Sequence, residues 1–306
     1  MKSPLVSVIT PSFQQGPFIE RTLESVWRQN RDDLAGRIEH IVMDGGSTDG
    51  TRQILDRWSD RLSFSSEPDG GQTAAINAGL AMARGEILAY LNSDDVHYEG
   101  AIASARSVFA NDPSADVVYG DADRIDAEDR LIGPYPTEEW SFERLKLVCF
   151  LCQPAVFFRR RVLERFGPFD PKLNYCMDYE YWLRLGRGGA RFVHLPVKLA
   201  ATRMHPAAKT LGSTVQAHAE VNDMLKERLG MIPDNWFSNY AYAVLDGRGI
   251  PRGTSPEYLI RIARLTVGAA VRWNGLPTVT LLRMVASSFR HGWRQGRAQS
   301  RSMVAS

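Results

Sequence analysis

A chain of 306 residues, 44% of them hydrophobic, is long enough for one large core or a core with an appendage, which excludes a small stapled scaffold and a disordered polymer. Its net charge of +2 hides a division: from Arg252 onward nine arginines stand against a single acid, Glu257, so a basic tail follows a mildly acidic body and no nucleic-acid partner is expected. Three cysteines are too few for a disulfide framework and fit a reducing cytoplasm.

The N-terminus runs directly into a β-rich apolar segment, Leu5 to Thr10, so no signal peptide is expected. Phe18, Ile19, Leu23, Val26 and Trp27 follow at helical spacing. Ile38 to Met43 reads as a second strand ending at Asp44, Thr51 to Trp58 as a short helix capped by Asp49, and Leu62 to Ser66 as a weaker strand. Thr73 to Ala83 is an Ala-rich helix stopped by Gly85, and Ile87 to Leu91 is a buried strand running into Asn92-Ser93-Asp94-Asp95. This alternation predicts an α/β fold with a parallel sheet flanked by helices. Further on, Val117 to Tyr119 and Ala155 to Phe158 read as strands and Asp178 to Leu185 as a helix. Phe192 to Val193 and Val197 to Ala201 read as late strands, and Ser213 to Leu229 as a helix. Cys149 and Cys152 match C-x-x-C, but apolar neighbours make them core rather than a zinc or redox site.

The tail holds two basic amphipathic segments. In Tyr258 to Trp273, Leu259, Ile262, Leu265 and Ala269 line one side and Arg261, Arg264 and Arg272 lie off it; in Thr278 to Trp293, Leu281, Leu282, Val285 and Phe289 share a side. Such helices either lie in the interface of an anionic membrane or pack as a hairpin on protein. No apolar run reaches the roughly 20 residues of a membrane span.

Three strand ends carry polar clusters: Thr10-Pro11-Ser12-Phe13, Asp44-Gly45-Gly46-Ser47-Thr48-Asp49-Gly50 and Asn92 to Asp95, with Glu67, Asp69, Gln72 and Asn77 between the last two. Ligands sit beyond the carboxyl ends of parallel strands. Paired carboxylates there suit a divalent ion and a diphosphate, although Asp94 or Asp95 would equally cap the next helix. A strand-end Asp beside glycines suits a nucleotide base and ribose, because the backbone can approach closely. The glycines form neither G-x-G-x-x-G nor a Walker A loop.

In order and spacing, Val8 to Phe13, Val42 to Thr51 and Leu91 to Asp95 resemble family 2 glycosyltransferases with the GT-A fold, over roughly residues 4 to 210. The resemblance implies a domain over 1–212, with a nucleotide-sugar half at 1–110 and an acceptor half at 111–212. A helical extension would occupy 213–306. Thr10, Pro11, Ser12, Asp44 and Gly45 would line the base and ribose pocket. Glu67, Gln72, Asn77, Asn92 and Ser93 would face the donor. Asp94 would hold Mn²⁺ or Mg²⁺ with help from Asp95. Asn92 stands where the family often has a first acid, which removes one charge from the metal site.

Asp178 within Met177 to Arg184 resembles the family's general base, with Glu180 the second choice and Trp182 and Gln153 near the acceptor. Read alone, Asp178 is a helix cap. Arg203-Met204-His205 resembles a segment in which the His contacts metal or diphosphate and the Arg supports the phosphates. The resemblance therefore implies an inverting transferase. It would use a nucleotide-diphosphate sugar, UDP foremost, and a glycan or lipid-linked acceptor in surface polysaccharide synthesis. Its expected location is the cytoplasmic face of the membrane. A sugar-phosphate nucleotidyltransferase and a non-enzymatic membrane-peripheral scaffold are the alternatives. The first would show basic residues between Thr10 and Gly16, which are lacking.

Overall fold

A computed structural model describes residues 5–31, 34–206 and 208–287. The chain divides into two compact units, Met1–Ala208 and Lys209–Ser306.

The first unit alternates β1 (Val6–Ser12), α1 (Ile19–Trp27), β2 (Ile38–Asp44), α2 (Thr51–Arg57), β3 (Ser63–Ser66), α3 (Gln72–Met82) and β4 (Ile87–Tyr90). It continues through β5 (Val96–His97), α4 (Ala101–Asn111), β6 (Val117–Ile125), β7 (Leu131–Pro134) and α5 (Phe142–Leu147). A 3-10 turn at Gln153–Ala155 leads into β8 (Val156–Arg159), α6 (Arg160–Phe166), α7 (Met177–Arg187) and β9 (Phe192–Arg203).

One sheet runs in the order β3-β2-β1-β4-β8-β6-β9-β5, with β7 paired to β6. The four strands of the nucleotide half are parallel to one another. β8 then runs antiparallel to both β4 and β6, while β6 and β9 are parallel. β1 is buried along its whole length, as a central strand of a covered parallel sheet is, and its few polar residues are small. Helix α3 lies tightly on it: a Cβ at Gly79 would come within 2.5 Å of Ile9 Cγ2.

The acceptor half departs from its sequence reading, which leaves β7, α5 and α6 unassigned, and two strands differ in extent. β6 extends to Ile125 and takes in Asp121 and Asp123; Asp123 is buried, accepting from Tyr98 Oη at 2.8 Å and pairing with Lys198 Nζ at 2.9 Å. The two late strands are one, β9, in which Pro196 and Val197 bulge out of register between Leu195 and Lys198. Proline donates no ladder hydrogen bond, so it is confined to such irregularities.

The second unit comprises α8 (Lys209–Gly212), α9 (Thr214–Leu229), α10 (Asp234–Gly247) and α11 (Pro256–Asn274). Ser255 caps α11 by accepting from Tyr258 N–H, with Pro256 at the first helical position. Tyr258, Leu259, Ile262, Ala269, Ala270 and Trp273 are buried, and Trp273 Nε1 donates to Asp223 at 2.7 Å. Ile260, Arg261, Arg264, Val271 and Arg272 are exposed and, at 100° per residue, fall on the opposite arc. In the next segment Leu281 is buried while Leu282 is exposed, so the expected shared side splits; Phe289 and Trp293 lie outside the described residues. No helix among the described residues is long and apolar enough to cross a membrane.

Candidate active site

The polar clusters converge because β1, β2 and β4 are parallel neighbours, so their carboxyl ends open on one edge. Pro11 and Ser12 lie in register with Met43 and Asp44. Thr10 is buried, its hydroxyl 2.9 Å from His40 Nε2. Asp44 is 2% exposed and accepts from Ser47 N–H at 2.9 Å, Ser47 Oγ at 2.5 Å and Ser66 Oγ at 2.6 Å. Its carboxylate is thus fixed by its own loop, and Gly46, at φ +80°, lets that loop turn. Gly45 lies against Phe13 and Asp69: an added Cβ would be 3.3 Å from either. Phe13, not singled out among the strand-end residues, is 60% exposed on this rim.

Helix α4 starts at Gly100, so neither Asp94 nor Asp95 caps it. Asp94 Oδ2 instead faces His205 Nε2 at 3.0 Å. Asp95 is turned inward. It is 3% exposed, accepts from Arg203 N–H at 2.8 Å and from Asn92 Nδ2 at 3.2 Å. Burial pushes its pKa up to about 8, with the Asp94 charge adding to the rise. Both oxygens being committed, Asp95 orients this turn and is not placed to reach an ion beside Asp94.

Asn92 joins three segments. Its Oδ1 accepts from Gln72 Nε2 at 2.8 Å, and its Nδ2 also approaches Gln153 Oε1 at 3.2 Å. Gln153 in turn donates to the Tyr90 carbonyl at 2.6 Å. An amide can donate and accept here; an aspartate at 92 would set a second carboxylate against Asp95 and lose both donors. Ser93 is buried, and Glu67 is exposed with its backbone N–H on the Asp44 carbonyl at 3.0 Å.

Other expected residues serve packing. Asn77 Nδ2 donates to the Phe169 carbonyl at 2.8 Å and its Oδ1 accepts from Phe169 N–H at 3.0 Å, so its amide is spent on a loop rather than a nucleotide. Thr73 Oγ1 adds a bond to the Leu173 carbonyl at 2.7 Å. Glu180 is fully buried and paired with Arg184 at 3.0 Å, so it is not placed to accept an acceptor's proton. Trp182 is fully buried, 6.4 Å from the Phe169 ring, and touches no open surface. Arg203 is also interior: its Nε donates to the Asp94 carbonyl at 2.7 Å and its Nη2 pairs with Asp129 at 2.5 Å. It braces the turn rather than reaching outward to phosphates.

Asp178 lies in the first turn of α7, half-buried, with Cys176 in the capping position. Its Oδ1 accepts from Tyr179 N–H at 2.7 Å. The loop that delivers it, residues 167–176, is the one fastened to α3 by Asn77 and Thr73. Burial raises the Tyr90 hydroxyl well above its ordinary pKa, and the charges of Asp178 and Asp95 both add to the rise. The Cys152 thiol is raised in the same way by burial, then by Asp95 and Asp178 among its neighbours. The charges of both aspartates, one from the donor half and one from the acceptor half, thus act on the same buried groups.

The family model described as glycosyl transferase family 2 matches residues 7–167. An uncharacterized glycosyltransferase of Mycobacterium tuberculosis, Rv1514c, is 36% identical over 186 residues, 60% of this chain and 69% of the relative. A PGL/p-HBAD biosynthesis glycosyltransferase of Mycobacterium bovis is 28% identical over 205 residues, 64% of this chain and 77% of the relative. S. aureus TarS 1-349, solved in complex with UDP-GlcNAc, aligns with a TM-score of 0.62 at 16% identity, covering 97% of this chain and 92% of that one. The mannosyltransferase PcManGT from Pyrobaculum calidifontis, solved with GDP-Man and Mn²⁺, aligns with a TM-score of 0.59 at 18% identity, covering 99% and 85%. Such low identities speak for the fold, which is GT-A. The match over the sheet and its loops speaks for more: the chain belongs to glycosyl transferase family 2 and is a glycosyltransferase.

Proposed function

We propose that this glycosyltransferase moves a sugar from a nucleotide diphosphate, UDP foremost, to a hydroxyl of a glycan or lipid-linked acceptor in surface polysaccharide synthesis. The transfer is a single displacement that inverts the anomeric carbon. The observation that carries the reading is the tie between the two halves: Asn77 and Thr73 of α3 fasten the loop that ends at Asp178 to the half whose parallel strands bring their polar ends to one edge. Relatives solved with UDP-GlcNAc and with GDP-Man support a nucleotide-sugar donor for this fold.

In this reading Thr10, Pro11, Asp44 and Gly45 receive the base and ribose, and Phe13 offers a ring face to the base. Asp94 and His205 hold a divalent ion. Their facing Oδ2 and Nε2, with Asp94 partly exposed, make a mixed oxygen–nitrogen pair that suits Mn²⁺ better than Mg²⁺. Among the described residues no group of three or more His, Cys, Asp or Glu could hold a metal, so an ion held by this pair would rely on donor phosphates and water for its remaining ligands. When bound, the ion offsets charge on the departing diphosphate. Asp178 accepts the proton of the acceptor hydroxyl as its oxygen bonds to the anomeric carbon and the bond to the diphosphate breaks. No covalent sugar–enzyme intermediate is needed. The basic arc of α11 meets an anionic membrane on its cytoplasmic side.

The test is a panel of UDP- and GDP-sugars scored for Mn²⁺-dependent thermal stabilisation, followed by transfer with the best donor and analysis of product anomericity. Asp178→Asn is expected to keep donor binding and lose about 10²–10⁴-fold in turnover. Full turnover in that variant removes Asp178 as the base, and a panel without any stabilising nucleotide sugar removes the whole reading.

A further inference from the structure

The turn between β6 and β7 carries a carboxylate that the reaction above does not use. Asp129 sits at φ +69°, a conformation that Asp and Asn tolerate better than other L-residues. The turn is set from within. Asp126 Oδ1 accepts from the N–H groups of Glu128 at 3.0 Å and Arg130 at 2.9 Å, and Asp129 N–H donates to the Asp126 carbonyl at 3.2 Å. From this fixed point Asp129 bridges two arginines of other elements. One oxygen lies 2.5 Å from Arg21 Nη1 on α1, the other 2.5 Å from Arg203 Nη2 at the end of β9.

Arg203 connects that bridge to the Asp94–His205 pair. Its side chain is 0% exposed. Its Nε holds the Asp94 carbonyl, its backbone N–H holds Asp95, and its Nη1 donates to the Asp126 carbonyl at 2.8 Å. The guanidinium lies 5.1 Å over the Phe18 ring, whose centroid is 4.6 Å from that of His205. A buried guanidinium needs a counter-charge. Asp129 supplies that counter-charge to a guanidinium already bonded to the backbone of Asp94, the residue whose carboxylate faces His205.

We propose that Asp129 is a positioning residue that keeps Arg203 from competing for the Asp94 carboxylate, and so tunes divalent-ion affinity from outside the site. The proposal rests on the reading of Asp94 and His205 as the ion-binding pair. Asp129→Asn preserves volume and the left-handed backbone while removing the charge. It is expected to raise the Mn²⁺ midpoint for UDP-dependent thermal stabilisation about tenfold, the low end for residues that support metal ligands. Turnover at saturating Mn²⁺ should change by less than about threefold. Asp129→Gly, which also removes the charge and takes the left-handed backbone without strain, should shift the midpoint likewise and carries the test if Asp129→Asn does not fold. Arg21→Gln leaves the Asp129–Arg203 pair intact and should shift it far less. A lower metal-free melting temperature with an unchanged Mn²⁺ midpoint would mean a purely structural role and overturns the proposal. If Asp94→Asn abolishes the Mn²⁺ response while Asp129→Asn leaves it untouched, the proposal falls and the ion reading stands. If the wild-type protein shows no Mn²⁺ response with UDP, both fall.

Discussion

His40 lies under Thr10, and its basicity is set by that position. Burial drives its pKa down to about 3, with the charge of His97 adding to the fall; burial takes His97 to about 4, against a hydrogen bond to the Pro154 carbonyl. In the unfolded chain both titrate near 6.5. Between those values the unfolded state binds protons that the folded state refuses, so the histidines' contribution to stability is full above about pH 6.5 and falls as pH drops toward 4. At pH 5 the loss is roughly 2 kcal/mol per histidine. Asp95, with its pKa raised to about 8, acts in the opposite sense over this range, so the histidine contribution is read as a difference: from pH 7.5 to 5, His97→Gln, whose amide can still donate to Pro154, should gain melting temperature relative to wild type. A variant melting curve with the same pH slope as wild type assigns the decline to other groups.

At the level of elements, the contact of α3 with β1 decides where Gln72 and Thr73 stand. A methyl at Gly79 would collide with Ile9 and press on Met43. Helix propensity favours Gly79→Ala by about 1 kcal/mol, but overpacking costs about 1–3 kcal/mol, so net destabilisation and weaker donor binding are expected. An equal or higher melting temperature with unchanged UDP affinity would mean that α3 shifts freely. This half was legible because β1, β2 and β4 are rich in β-branched and apolar residues and end in polar clusters. The acceptor half was harder to read. Asp121 and Asp123 disguise β6, and Pro196 breaks β9 in sequence but not in space; in the second unit, α10 mixes aromatics with small residues around a weak period. The same limit applied to the site. Sequence placed Asp94 and His205 in strand-end segments that do meet. It could not foretell that α7 is buried around most of its girth, which turns Glu180 and Trp182 into core.

On the scale of the whole molecule, the chain separates its charge from its chemistry. The acids that meet at the strand ends belong to the first unit, and the arginine-rich arc belongs to α11 of the second. On that arc Arg261, Arg264 and Arg272 sit among the exposed aliphatics Ile260 and Val271, while the core-facing arc holds Tyr258, Ile262 and Trp273. Burying two aliphatics alone gives little anchoring. Each arginine near an anionic surface adds about 1 kcal/mol, so the three together matter more than the apolar contacts. Replacing all three by Glu should therefore lower partition into phosphatidylglycerol vesicles by more than about a hundredfold, taking 1.4 kcal/mol as tenfold. Since these side chains are exposed, the melting temperature and UDP binding should hold. Binding of the wild-type chain should weaken with rising salt, because the attraction is screened within about 10 Å at 0.1 M. Co-sedimentation that is indifferent to both salt and the triple substitution would show that α11's exposed arc meets something other than an anionic bilayer.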